Sequence, residues 1–180
     1  MKATAIGGKL NPITKCTITI PSGPTITLKA LPEIDDQKEA NYEQEEGIGR
    51  TQPYLTYKNS GFRKISMTLH FAVTDESDVD TIWGYIRALQ STVYPNGGGS
   101  SGAPYEPPAI CKLQCGKIFK DVNGDYVCAV CTSVGVKYPT EPAWDEETYL
   151  PWKVDVSTSW QIVYSPNDLP GADKILALGN

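Results

Sequence analysis

The sequence of 180 residues contains a single histidine and no long run of apolar residues. No stretch approaches the ~20 apolar residues that a membrane-spanning helix needs. The first segment, Met1 to Pro12, lacks the apolar core of a signal peptide. These absences predict a protein that is made and kept in a cytoplasm, without a membrane partner. Hydrophobic residues still make up 40% and charged residues 21%, which is typical of a globular domain.

Motifs for catalysis are also missing. The only histidine, His70, lies on the polar face of a predicted strand with Ser66 and Thr68, and no nucleophile motif surrounds these residues. The run Gly97–Gly99 neither follows a strand nor opens a helix with a lysine, so it is not a phosphate-binding loop. The carboxylates at 145–147 are interpreted as a solvated turn rather than a glycosidase pair. We therefore predict no enzymatic activity and no cofactor.

Negative charge is concentrated in one segment. Between Glu33 and Glu46 lie seven acids and one base, Lys38, so this segment carries −6 while the whole chain carries −5. Binding to phosphates needs a basic surface, and we therefore expect no nucleic-acid partner. The segment is interpreted either as a solvated acidic loop, or as a charged surface for a partner or for a channel that must not hold DNA.

Alternating apolar residues predict the first strands. The segments Cys16–Ile20 and Ile26–Ala30 flank a Pro/Gly turn and form a predicted β-hairpin. No period holds from 31 to 61, which predicts a long loop of the kind that is usually functional or mobile. A clean strand follows at 64–73, where every second residue is apolar.

One helix is predicted, at about 75–93. Acids in its first turn suit the helix dipole, and its apolar residues form a single stripe that can lie against a sheet. The stripe consists of Val79, Ile82, Trp83, Ile86, Leu89 and Val93. A flexible loop rich in Gly, Ser and Pro is predicted at 95–108. The last long strand is predicted at 152–164, and 165–180 is either a frayed terminus or an arm that docks on a neighbour.

The dipeptide Asn123-Gly124 predicts a second hairpin, with a two-residue type I′ loop. That turn would pair Phe119 with Cys128, Lys117 with Val130 and Cys115 with Thr132. Nearly all residues on one face are then apolar, which favours this register. The predicted buried face comprises Cys111, Leu113, Cys115 and Phe119 beside Cys128, Val130, Val134, Val136 and Tyr138.

Four cysteines have a spacing that resembles a four-thiolate zinc site. They are Cys111, Cys115, Cys128 and Cys131. Strand alternation places Cys128 and Cys131 on opposite faces, and the predicted register separates Cys111 from Cys128 along the ladder. We therefore interpret the four as buried small hydrophobic residues rather than metal ligands. A disulfide is disfavoured, because cytoplasmic proteins keep their thiols reduced.

Short motifs follow one another in a characteristic order. Gly49–Tyr54 (GRTQPY) precedes Arg63–Ser66 (RKIS), a strand and a helix follow, and the helix leads into Val93–Asn96 (VYPN). A glycine-rich loop, Pro107-Pro108 and a strand ending at Gly116 complete the series. This order resembles that of the tube-fold baseplate and hub-adaptor proteins of contractile-tailed bacteriophages, and the resemblance covers about residues 10 to 164.

The resemblance implies a mainly β (α+β) fold, an antiparallel β-sandwich or split barrel with one flanking helix. It implies a β domain over 1–164, with long loops at 31–61 and 95–108, followed by a C-terminal arm at 165–180. It also implies a hexameric ring of a tail tube or baseplate hub, in a virion assembled in the host cytoplasm. The partners would be copies of the chain itself, the tail tube protein, other baseplate or hub proteins and the tape measure protein.

Ring subunits join through sheet edges or extended arms, so the acidic segment and the C-terminal arm are the predicted contacts. The candidate interface residues are Glu43, Glu45, Glu46, Arg50, Tyr54, Ile175, Leu176 and Leu178. Two alternatives stay open. One is a small β-sandwich that binds carbohydrate or a cell surface, for which Tyr54, Tyr57 and Tyr105 are candidates. The other is a zinc-stabilised interaction module built on the four cysteines.

Overall fold

The computed structural model of the protein describes residues 16–21, 23–49, 51–74, 76–97, 105–121, 124–141, 144–145 and 150–178. These described residues form eleven strands, two α-helices and a 3-10 turn at Pro166–Asp168. The elements in chain order are β1 (Cys16–Thr19), β2 (Thr25–Thr27), β3 (Glu33–Gln37), β4 (Ala40–Glu45), β5 (Tyr54–Ser60), β6 (Lys64–Ala72), α1 (Glu76–Ser91), β7 (Asn96–Gly97), β8 (Tyr105–Glu106), β9 (Cys111–Cys115), β10 (Val127–Lys137), β11 (Lys153–Ile162) and α2 (Ala172–Ala177).

Seven strands form one antiparallel sheet in the order β2-β1-β9-β10-β11-β6-β3. The sheet is open, with β2 and β3 at its two edges. The pairs β4–β5 and β7–β8 are separate two-stranded sheets. The predicted mainly β class with a flanking helix is confirmed, and the helix at 75–93 corresponds to α1. The boundary at 164 between a domain and an arm stays a prediction. Neither described helix is long and apolar enough to cross a membrane.

The core lies between one face of the sheet and the apolar stripe of α1. Strands β6 and β11 each bury alternate residues, as predicted, and α1 adds Ile82, Ile86 and Leu89. Trp160 is the largest side chain that is fully buried, at 1% exposure, and its indole donates to Thr158 Oγ1 at 2.8 Å. Trp152, predicted on the inner face, is 53% exposed because β11 begins only at the next residue.

The predicted register of the second hairpin is wrong. Strand β9 pairs Leu113 with Val127, Lys112 with Cys128 and Cys111 with Ala129. The offset is odd, so the buried face near the turn is reversed. The buried residues of β10 are Val127, Ala129 and Cys131, whereas Cys128 and Val130 are half-buried. Val134 and Val136 do pack against the core, because an irregularity between Cys131 and Ser133 shifts the alternation.

The turn itself explains the error. Asp121 and Gly124 exchange backbone hydrogen bonds of 2.8 and 2.9 Å, so the tight turn lies one residue earlier than predicted. Gly124 has φ +115°, which favours glycine, while Asn123 lies outside the described residues. The ladder does not continue from this turn. Residues 116–119 form turns instead, beginning at Gly116 with φ +55°, and this insertion changes the register.

The long loop predicted at 31–61 is wrong as well, because this segment contains β3, β4 and β5. Strand β3 pairs with β6 and only its Ile34 is half-buried, while β4 and β5 bury nothing. Apolar alternation arises from a buried face, so strands without one leave no such pattern. The predicted loop at 95–108 is closed at its ends by β7–β8, and 98–104 lie outside the described residues.

Candidate functional site: an exposed hairpin and the groove at its base

The β4–β5 hairpin exposes every one of its residues. Asn41 Nδ2 donates to Asn59 Oδ1 at 2.8 Å, next to an irregularity between Asn41 and Tyr42. Beyond it, the rings of Tyr42 and Tyr57 meet edge to face with centroids 5.7 Å apart. Cross-strand pairs of this kind hold the hairpin together, since no core lies beneath it.

The two faces of the hairpin differ in chemistry. The register places Tyr42, Leu55 and Tyr57 on one face, and these side chains are 59%, 65% and 54% exposed. The other face carries Glu43 and Glu45, opposite Thr56 and Tyr54. Such a two-faced strand pair normally turns its apolar side to a protein interior. Here that side faces outward.

A groove of about 480 Å³ lies at the base of the hairpin. Three parts of the chain line it. The first comprises Lys38, 57 and 60–63, the second is 161–164 at and after the end of β11, and the third is 169–170. Phe62 and Leu169 stand at this groove with 65% and 62% of their surface exposed. We define the hairpin–groove surface as Tyr42, Leu55, Tyr57, Phe62 and Leu169. It is continuous, because Tyr57 contacts Tyr42, shares a face with Leu55 and lines the groove with the other two.

A charged network fixes one wall of the groove. Arg63 Nε and Nη2 donate to Asp36 at 2.5–3.1 Å, and Nη1 lies 3.5 Å from the buried carboxylate of Asp121. Tyr164 donates its hydroxyl to Asp121 at 2.8 Å. The hydrogen bond to Asp36 raises the already high pKa of Arg63, and burial together with Asp121 raises the pKa of Tyr164. Arg63 and Tyr164 therefore keep their protons near neutral pH, and their hydrogen bonds hold this wall of the groove in place.

None of the described candidate interface residues is among those that line the groove. Glu43, Glu45, Glu46 and Tyr54 are exposed on the hairpin or at its end, and Arg50 lies outside the described residues. On α2, which buries no residue, Ile175 and Leu176 are 46% and 74% exposed, and Leu178 follows half-buried. Their interface role stays a prediction. The structure does bring both predicted segments together, since the groove joins the hairpin to Leu169 and Pro170.

The apolar members of the surface were not predicted as interface residues. The sequence makes Tyr57 a candidate only for carbohydrate binding. It predicts no interface role for Tyr42, Leu55, Phe62 or Leu169. A usable signal was present: the aromatic and aliphatic residues of 42–62 fit neither a core strand nor a helix. Apolar residues without a buried face point to a surface that another molecule covers.

The cysteines depart from the prediction in one respect. Cys16 and Cys115 lie directly opposite each other on β1 and β9, with Cα atoms 4.0 Å apart, and form a disulfide. The expectation of reduced thiols is therefore wrong for this pair. It was missed because it depends on two strands, 99 residues apart in sequence, becoming neighbours.

The remaining thiols do not form a metal centre in the described part of the chain, where no three His, Cys, Asp or Glu side chains are arranged around a common point. Burial and the nearby Cys131 raise the pKa of Cys111 to about 11, and burial raises that of Cys131. Cys128 is half-buried and follows the opposite alternation. Cys115 cannot be a thiolate ligand while it is in the disulfide, so the four-thiolate set of the zinc alternative is incomplete.

His70 lies away from the groove, on the polar face of the sheet. Its Nδ1 is 2.6 Å from Asp155 Oδ1, directly across the β6–β11 pair, and Lys153 Nζ is 3.8 Å from the same oxygen. The arrangement is a cross-strand hydrogen-bonded pair on a half-exposed surface. Glu146 and Glu147, considered with Asp145 as carboxylate candidates, lie outside the described residues.

Comparisons with known proteins give only a weak structural similarity. No protein-family description matches the chain, and no curated protein matches its sequence. Among solved structures, a chain of the sheath–tube complex of an extracellular contractile injection system (PVC, extended state) is similar. The match has 10% identity and a TM-score of 0.35, and it covers 87% of this chain and 91% of that one. A similarity at this TM-score is too low to assign a fold or a function.

Proposed function

We propose that this protein is a non-catalytic structural subunit that joins neighbouring subunits through the hairpin–groove surface. The observation that carries this proposal is the β4–β5 hairpin, which buries no residue and yet turns Tyr42, Leu55 and Tyr57 outward. A lone two-stranded hairpin is marginally stable in water. A contiguous exposed apolar surface of this kind marks an interaction site. Covering that surface by a partner stabilises the hairpin and removes its apolar face from water.

The assembly that we propose is a ring of a contractile tail tube or baseplate hub, with six copies. This finer statement is supported by the order of motifs from Gly49 to Gly116. The opposite surface of the central sheet suits such a ring. Apart from Ala72, the outward residues of β6 and β11 are polar or charged, for example Ser66, Thr68, Ser157 and Ser159. A face with so few apolar side chains is suited to water or a channel rather than to a protein contact.

The native mass of the purified protein tests the proposal, measured alone and with a tail tube protein. We expect self-association or binding to the tube protein, and we expect Leu55→Ser/Tyr57→Ser to abolish it without changing the fold. The matched control is Tyr105→Ser, which alters another exposed tyrosine, at 70% exposure, outside the surface. If the Leu55/Tyr57 variant assembles like the wild type, the proposal fails.

The exposed tyrosines also suit a carbohydrate-binding module, since aromatic rings stack on sugars and Tyr42 and Tyr57 share one face of the hairpin. The same experiment separates the two functions. A sugar-binding module remains a monomer at all concentrations, and its melting temperature rises with added glycan. Assembly predicts a mass that grows with concentration and a melting temperature that glycans leave unchanged.

A further inference from the structure

A second exposed surface, in the turn after β9, combines an apolar side chain with positive charge. Ile118 is 57% exposed, and Lys117 and Lys120 flank it in the turn after β9. Other exposed aliphatic residues have weaker positive surroundings. On α2, Lys174 beside Ile175 is offset by Asp173, and Ile110 has a single lysine, Lys112, nearby in sequence.

The turn that carries Ile118 is firmly held. Its amide donates to Cys115 O at 3.0 Å, and Cys115 is joined to β1 by the disulfide. The next residue, Phe119, is 1% exposed and anchors the turn in the core. Lys120 Nζ donates to Leu178 O at 3.3 Å. An apolar side chain on a rigid turn loses little conformational freedom on binding, which favours it as an interface anchor.

An acidic segment borders the groove, whereas the groove's own cations are already engaged. Arg63 is paired with Asp36 and Asp121, and Lys38 Nζ donates to Gly61 O at 2.6 Å. Glu39 borders the groove, because its carbonyl accepts from the amide of Gly61 at 2.8 Å. It belongs to the segment from 33 to 46, which carries −6. The groove therefore combines an apolar wall with an acidic residue at its border.

We propose that the occupant of the groove is a second copy of this chain, which inserts Ile118 and places Lys117 against Glu39. This rests on the proposed function and identifies the two surfaces that meet. Apolar contact supplies affinity, and the opposite charges fix the orientation. A head-to-tail contact between these two sets of residues is heterologous, and it closes into a ring when the rotation between copies permits.

Sedimentation of the full chain over a range of concentrations tests this pairing. We expect Ile118→Ser and Lys117→Glu each to weaken self-association by roughly tenfold or more, as for residues at the centre of an interface. Glu39→Lys should weaken it similarly, and Lys117→Glu combined with Glu39→Lys should restore it in part. The matched control is Ile110→Ser, at 48% exposure, which should leave association unchanged. Circular dichroism melts check that each variant is folded.

The outcomes separate this inference from the proposed function. If Tyr57→Ser weakens association but Ile118→Ser does not, the surface is an interface and its occupant is not the Ile118 turn. If each charge reversal weakens association but the double variant does not recover it, the pairing of Lys117 with Glu39 is wrong. A chain that stays monomeric at every concentration overturns the second copy as occupant, while binding to a tail tube protein would still support the proposed function.

Discussion

The β6–β11 pair at the centre of the sheet and the β4–β5 hairpin are both antiparallel, but they are stabilised in different ways. Nine residue pairs join β6 to β11, and alternate side chains on both strands are buried. Six pairs join β4 to β5, and no side chain on either is buried. Burying a large apolar side chain contributes about 1.5–3 kcal/mol, whereas a cross-strand pair contributes about 0.2–1 kcal/mol. The centre is therefore stabilised by contacts within the chain, and the hairpin gains most from a partner.

Replacing one large side chain in each region gives the largest expected contrast. Trp160→Ala removes a side chain that is 1% exposed on β11, and we expect it to lower the free energy of unfolding by about 3–5 kcal/mol. Tyr57→Ala on β5 should change it by less than about 0.5 kcal/mol in the monomer, because the ring is 54% exposed. Urea unfolding at a concentration where the protein is monomeric measures both. Equal effects would show that the hairpin belongs to the cooperative core.

Reduction of the Cys16–Cys115 disulfide should have the next largest effect. This bond ties β1 to β9, so the β1–β2 edge of the sheet has a covalent link that β4–β5 lacks. Breaking a bridge between residues 99 apart should lower the free energy of unfolding by about 2–4 kcal/mol. Urea unfolding with and without reductant measures the difference. The double variant Cys16→Ala/Cys115→Ala is the control, and its stability should not respond to reductant. A wild type equally indifferent to reductant would contradict the prediction.

The same contrast explains what could be predicted from the sequence. The alternation from Ile65 to Phe71 and the stripe of α1 arise from burial, and both elements were predicted close to their observed bounds. The sequence predicts a loop where β3–β5 lie. These strands have almost no buried side chains, and they therefore show no alternation of apolar residues. The register of β9 with β10 failed for a different reason, since turns at 116–119 separate the tight turn from the ladder.

The sequence predicts the segment in which the candidate site lies, but not the apolar residues that form the site. The charge of 33–46 marks the segment that contains β4, and Glu43 and Glu45 lie on that strand, while their interface role stays a prediction. The groove joins residues from 38, 57, 60–63, 161–164 and 169–170, and no local pattern in the sequence connects them. The disulfide is hidden for the same reason. Both depend on which strands become neighbours, and that is decided by the whole core.

Ion pairs give the smallest effect, and they sharpen the comparison. Lys29 Nζ lies 2.6 Å from Asp78 Oδ2 and links the segment after β2 to the first turn of α1, whereas Lys58 and Glu43 on the hairpin are 3.5 Å apart. The hydrogen bond from Lys29, followed by that from Thr74, lowers the pKa of Asp78 from 3.8 to about 2. The folded-state pKa is depressed, so the pair stabilises the protein above pH 3.8, and this contribution is lost as the pH falls toward 2. The contribution is small because water screens the exposed lysine.

Carboxyl titration by NMR measures this directly. In the wild type the midpoint of Asp78 should lie near 2, and Lys29→Met should move it toward 3.8, because the largest cause of the shift is removed. Lys58→Met is the matched control on the hairpin, and it should leave the titration of Asp78 unchanged. An unchanged midpoint in Lys29→Met would mean that this contact is as loose as the pair on the hairpin. The contrast between the well-packed sheet and the exposed hairpin would then not apply to the contact between the segment after β2 and α1.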